Sequence, residues 1–188
     1  QVIKMYDVLG VNLKGNVAVK VHSGEAGNKN YLKPVFLKPM VDYVNGTIVE
    51  CNTAYPGARN NSKKHEKLLE RHEWTKYFSV DLMDKEEPDL ELSIPDGKRI
   101  KVDYVGKDLA KYDSMLVLSH FKGHPMGGFG GSLKQLSIGC ASSRGKTWIH
   151  SAGKNTDQKK LWGNLPEQDA FLESMADAAS SVVKHFNG

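Results

Sequence analysis

The segment "SMLVLS" (114–119) is the most apolar strand-length run in the chain, and a glycine-rich stretch, "HFKGHPMGGFGGSLK", follows it directly. Two earlier segments repeat the arrangement. "NVAVKVH" (16–22) runs into "SGEAGN", and "GTIVEC" (46–51) runs into "NTAYPGARN". Compact β-branched runs of this length, each followed by a loop and then helical spacing, have connections long enough for parallel crossovers. They specify an α/β fold with a mostly parallel sheet and helices on both faces. Ligands of such sheets bind beyond the carboxyl ends of the strands. The loops after Val21, Cys51 and Ser119 are therefore expected to share one edge.

The other segments fit around that sheet. "VIKMYDVLG" reads as a short helix stopped by Gly10. Residues 31–44 have helical spacing, with Pro34 suited to a first turn and Pro39 expected to kink or split the helix. Residues 62–74 read as a charged helix, and "FSVDLMD" as a third strand. "LELSI" and "RIKVDYV" flank "PDGK", a hairpin signature and an antiparallel excursion from the alternating pattern. Residues 167–186 form a long helix with Phe171, Met175, Ala178, Val182 and Val183 on one face. Composition makes 142–160 the least ordered segment. One α/β domain is expected over residues 1–188.

Composition narrows the function classes. The 188 residues carry a net charge of +4, with 39% hydrophobic and 26% charged residues, as in a soluble globular protein. Basic and acidic residues alternate, which argues against nucleic acid as a partner. No apolar run approaches the ~20 residues needed to cross a bilayer. The two cysteines, Cys51 and Cys140, stand in no CxxC pair. That points to a reducing, cytoplasmic setting and away from a disulfide framework. The chain also lacks the ligands for an all-cysteine iron–sulfur cluster.

The three loops hold the chemistry. In the first, His22 and Glu25 either act as base and acid or satisfy backbone groups. In the second, Asn52, Thr53, Tyr55 and Arg59 either grip a carboxylate or phosphate through Arg59 or simply build turns. In the third, Gly127, Gly128, Gly130 and Gly131 let backbone approach a ligand closely or adopt positive φ. A helix starting near Ser132 would point free N–H groups at the same place, with Lys134 in its first turn. The lysine spacing is not that of a Walker A loop. His120 and His124 stand four apart, but Pro125 and the glycines rule out a helix there, so no metal site is assigned. The two remain acid–base groups, anion donors or structural residues. Cys140 is either a thiol acidified by Arg144 or a small buried residue.

Three stretches carry a resemblance over most of the chain. "VAVKVHSGEAGNKNYLKP", "ECNTAYPGARNNSKKH" and "LSHFKGHPMGGFGGSLKQLSIGCASSRGK" resemble, in order, the domain-of-unknown-function family 362, whose members are often labelled uncharacterised iron–sulfur centre proteins. The resemblance implies an α/β domain, frequently with an inserted ferredoxin-type module. Here "NTDQKKLWGNLPEQ" runs straight into the long helix without cluster cysteines, and relatives continue beyond "KHFNG". The chain is thus expected to be the N-terminal part of a longer protein. "HPMGGFGGSLKQLSIGCA" is also similar to the H-x-x-A-G-x-S-G-G-x-K-x-x-x-P-G stretch of lactate racemase-type enzymes, with Gly127, Gly130 and Ile138 in place of the alanine, the serine and the proline. That similarity implies Lys134 as an anchor for a nickel-containing, pyridine nucleotide-derived cofactor, and His124 or His120 as proton-transfer groups.

The expectation is an enzyme-like domain that binds an anionic small molecule or nucleotide-type cofactor. His120, His124 and Lys134 are its catalytic candidates; His22, Glu25, Arg59, Lys122, Gly130 and Gly131 are its binding residues. The alternative is a non-catalytic redox-partner or scaffold module that docks a ferredoxin-like protein. It would require an exposed patch of Met126, Phe129 and Trp148.

Overall fold

The computed structural model describes residues 1–163 and 165–186. Four strands, β1 (Val17–Lys20), β2 (Thr47–Glu50), β3 (Val80–Leu82) and β6 (Ser114–Val117), form a parallel sheet. Their spatial order is β3-β2-β1-β6. From β1 the chain builds outward in one direction through β2 and β3. It then returns across the sheet to lay β6 on the other side of β1. Between these two strands lies the topological switch point of a doubly wound sheet.

Period-two alternation divides the sheet residues between two cores. Val17, Val19, Val21 and Ile48 pack with Leu37 and Val41 of α2 (Pro34–Tyr43), Leu69 of α3 (Ser62–Arg71) and Trp74 of α4 (Trp74–Tyr77). Ala18, Val49 and Cys51 face the opposite way. They meet Val105 of β5 (Val102–Val105), Cys140 of α5 (Ser132–Cys140) and Val182 of α7 (Gln168–His185). Helices therefore cover both faces, as the sequence pattern requires. The expected hairpin is β4 (Leu90–Ser93) paired antiparallel with β5.

Several local expectations need correction. Helix α2 runs unbroken through Pro39. The missing N–H would leave the carbonyl of Val35 without its partner, but Val35 is exposed and water can replace that bond. The charged helix over 62–74 stops at Arg71, because Glu73 turns left-handed (φ 63°) before α4 begins. Residues 143–150, placed in the least ordered segment on composition, form helix α6 (Ser143–His150). Ser142 caps it by accepting from Gly145 N–H at 3.0 Å, and Ile149 is fully buried. Strand β6, the most apolar on sequence, is an edge strand with half-buried residues. On α7, Val183 faces outward while the other four named residues are buried. The first helix, α1 (Val2–Leu9), ends at Gly10 in the left-handed region (φ 64°) as its sequence demands. No helix among the described residues is long and apolar enough to cross a membrane.

The glycine-rich stretch is not an open loop. It folds as a two-stranded ribbon, β7 (Lys122–His124) against β8 (Gly128–Gly130), and leads directly into α5. Gly128 takes positive φ (71°) at the turn. Gly131 is extended, and a Cβ there would lie 2.9 Å from the Phe129 ring, so its bareness makes room for that ring.

Candidate functional site

Because β1, β2 and β6 are parallel, their carboxyl ends deliver Val21–Glu25, Cys51–Arg59 and Ser119–Lys134 to one edge. A cavity of about 220 Å³ opens there, at the switch point between β1 and β6. It is lined by His22, Arg59, His120, Lys122, His124, Gly130, Gly131 and Lys134. Eight of the nine site residues named from sequence thus surround one space. The ninth, Glu25, reaches it indirectly through an ion pair with Arg59.

The floor is a buried polar network that sequence reasoning missed. Lys20, at the end of β1, is fully buried. Its Nζ donates to Glu50 Oε2 (3.2 Å), Gln135 Oε1 (3.2 Å) and the Val21 carbonyl (2.5 Å). The lysine stem lies against α5 at Gly139, where a Cβ would stand 3.0 Å from Lys20 Cε. Glu50, at the end of β2, accepts from Ser23 N–H at 2.6 Å and pairs with Arg59 Nη1 at 3.5 Å. Burial alone would raise its pKa, but the charges of Lys20 and Arg59 outweigh this and hold the carboxyl well below the usual range.

Arg59 organises the second wall. Its Nη2 reaches both Glu25 and His22 Nε2 (3.2 Å), and Glu25 accepts from Tyr55 O–H at 2.9 Å. Arg59 therefore stands between His22 and Glu25, which do not form the direct pair considered from sequence. His22 also meets Gly24 N–H at Nδ1 (3.1 Å). Burial and the neighbouring guanidinium lower its pKa to about 3, which favours the neutral ring at physiological pH. Arg59 is itself buried, and its Nε has no hydrogen-bond partner among the described residues.

The third wall carries the groups without partners. Helix α5 begins at Gly131 with no side-chain cap among the described residues, which leaves its first N–H groups free of them. Lys134, three residues in, makes no ion pair among the described residues. Burial and the charges of Lys122, Lys146, Arg59 and Lys20 bring its pKa down to about 8. His124 Nδ1 accepts from Gly127 N–H (3.0 Å) and Met126 N–H (3.3 Å). In the neutral ring this leaves the proton on Nε2, because one ring nitrogen is already used as acceptor. Burial, Lys134 and Lys122 lower the pKa of His124 as well.

Helix α6 adds Lys146 and His150, neither among the site residues expected from sequence. Lys146 is buried with its Nζ on the Ala141 carbonyl, and burial lowers its pKa. His150 Nδ1 lies 2.6 Å from the Lys146 carbonyl, an acceptor, so Nδ1 carries the proton and Nε2 keeps its lone pair. Burial brings the His150 pKa to about 4. Five basic side chains (Lys20, Arg59, Lys122, Lys134, Lys146) and one carboxylate, Glu50, line the cavity. That balance suits an anion, held by charge and by the exposed N–H groups of α5 together.

The two cysteines do not fit an iron–sulfur cluster. Cys51 and Cys140 are buried, and the Cys51 thiol donates to the Cys140 carbonyl at 3.3 Å. Burial pushes the Cys140 thiol up to about 12 and raises Cys51 too, which excludes the acidified-thiol reading of Cys140. Among the described residues no three His, Cys, Asp or Glu side chains gather as a metal-binding group.

A family model described as Domain of unknown function (DUF362) matches residues 17–187, a span that includes all three loops. No curated protein and no solved structure matches the chain. With nearly its whole length inside that match, the chain belongs to the DUF362 family.

Proposed function

We propose that the cavity at the β1/β6 switch point binds a small anionic molecule or nucleotide-type cofactor, and that the domain is an enzyme. The observation that carries this reading is the excess of basic groups over carboxylates in a cavity at the sheet edge. Lys20 and Arg59 already have acidic partners, whereas Lys122 and Lys134 have none among the described residues. Gathering cations without counter-charges costs stability, as the lowered pKa of Lys134 records, and a bound anion offsets that cost. In this reading Gly130, Gly131 and the first turn of α5 cradle the anion while Lys122, Lys134 and Arg59 neutralise it. His124, with a proton on Nε2, and His120 beside it are the acid–base groups.

The rival reading, a docking module for a ferredoxin-like protein, has less to stand on. Of its three patch residues only Phe129 is exposed; Met126 and Trp148 are packed against a core cluster. Isothermal titration with pyrophosphate distinguishes the two. The anion reading expects saturable 1:1 binding, weakened at least tenfold in Lys122→Gln/Lys134→Gln. Absence of binding to the wild-type chain would overturn it.

A further inference from the structure

The cavity has two chemically different halves. Opposite the basic floor, its mouth is aromatic. Tyr55 extends from the loop after β2, and Trp162 from the short 3-10 turn Gln158–Gly163, with Leu161 buried beneath it. The Tyr55 and Trp162 rings stand 6.4 Å apart and are tilted by 36°. His150 closes the same corner, edge-on to Trp162 at 6.5 Å. Trp162 is 56% exposed and Tyr55 36%, although both are large rings on a cavity wall.

Two features set this pair apart from scattered surface aromatics. Tyr55 is held in place, since its hydroxyl donates to Glu25, the carboxylate that also pairs with Arg59. Both rings line the same cavity, and their 6.4 Å centroid separation falls a little short of the ~7 Å that one flat ring needs between two others, each stacking at about 3.5 Å. A small outward shift of the exposed Trp162 ring that also reduces the tilt admits that ring. The cavity, at about 220 Å³, lies below the ~300 Å³ at which drug-sized sites begin, so a ring-bearing ligand keeps its ring at the open mouth.

We infer that the ligand is an anion carrying a planar aromatic or heteroaromatic ring, with the ring clamped between Tyr55 and Trp162 and the anionic end on the basic floor. This inference rests on the anion reading above and adds the ring to it. A mononucleotide has this chemistry, and so does an aromatic carboxylate. The exposed Trp162 supplies a reporter. Trp74 is buried in the core and Trp148 is half-buried with its N–H on the Val102 carbonyl, so quenching by a ligand at the mouth reads Trp162.

The test compares ADP, pyrophosphate, quinolinate and adenosine by tryptophan fluorescence and calorimetry. ADP is expected to quench and to bind about 5- to 150-fold more tightly than pyrophosphate, the span that base–aromatic stacking covers. Trp162→Leu should bring that ratio towards one, and Trp162→Phe should restore part of it. Quenching by quinolinate with greater affinity than ADP assigns the ring to the carboxylate class, and the reverse assigns it to nucleotides; adenosine, without an anion, should bind far more weakly than ADP. Equal affinity for ADP and pyrophosphate in the wild-type protein would overturn the clamp while leaving the anion site intact. Failure of both to bind would overturn the anion site as well.

Discussion

Lys134 offers the sharpest electrostatic prediction. Its ammonium sits among Lys122, Lys146, Arg59 and Lys20, and burial with these charges lowers its pKa from 10.5 to about 8. At about 1.4 kcal/mol per pH unit, keeping the group charged costs about 3 kcal/mol in the empty site. An anion seated on Nζ restores an opposite charge and returns the bound-state pKa towards 10.5 or above. Affinity is then linked to protonation. Below pH 8 both states hold the proton and the Kd is flat; above pH 8 the free site loses it first, and binding weakens by about tenfold per pH unit. Sulfate suits the assay, because it remains a dianion throughout. Titration calorimetry at pH 6.5, 7.5, 8.5 and 9.5 should show a plateau and then a fall of about 30-fold by pH 9.5. Lys134→Gln should weaken binding at pH 7 and remove most of the slope. A wild-type Kd for sulfate that is unchanged from pH 7 to 9.5, or a slope that survives in Lys134→Gln, would refute the reasoning.

Other predictions follow from the buried groups. Asp103 on β5 is fully buried, with Oδ1 unpartnered among the described residues and Oδ2 accepting from Ser181 Oγ at 3.0 Å; burial raises its pKa to about 7. A carboxyl whose folded pKa exceeds its unfolded value of 3.8 contributes stability below pH 4 that is lost as pH rises to 7, about 4 kcal/mol in all. Chemical denaturation of Asp103→Asn should therefore show a gain over wild type at pH 8 that shrinks or reverses at pH 4.5. Glu50→Gln leaves Lys20 and Arg59 buried without their shared counter-charge and should cost about 3–5 kcal/mol in the same assay. Gly145→Ala places a Cβ 1.9 Å from the Tyr104 carbonyl oxygen and should destabilise by about 1–3 kcal/mol, seen as a lower Tm. Both thiols should resist Ellman's reagent at pH 8 in the native protein and react on unfolding, since burial keeps them protonated.

What could be read in advance, and what could not, follows from how far each residue's partners lie along the chain. Period-two runs ending in loops are local signals, and they located β1, β2 and β6 and the three loops of the cavity wall. Lys20 and Glu50 were invisible for the opposite reason. Each is one charged residue closing an apolar strand, and each reads as the place where the strand meets water. Only the parallel pairing of β1 with β2 shows that the two ends neutralise each other. Lys146 and His150 were lost within a polar stretch, although Ser142 three residues before Gly145, followed by Trp148 and Ile149, carried a capping and burial signal. The glycine-rich run concealed a ribbon because strand propensity gives glycine no credit, whereas the β7–β8 pairing uses backbone alone. Trp162 stands in the polar segment that runs into the long helix, where nothing local marks it, and only the fold brings its ring within 6.4 Å of Tyr55.

The central claim, that the carboxyl edge between β1 and β6 is an anion site, is tested most directly by NMR titration with pyrophosphate. The account predicts saturable shifts in the backbone amides of Gly130, Gly131, Ser132 and Leu133 and in the unpartnered Nε–H of Arg59, with α1 and the far end of α7 unmoved. Shifts scattered over exposed lysines such as Lys63 and Lys154, or none at the α5 N-terminus, would contradict it.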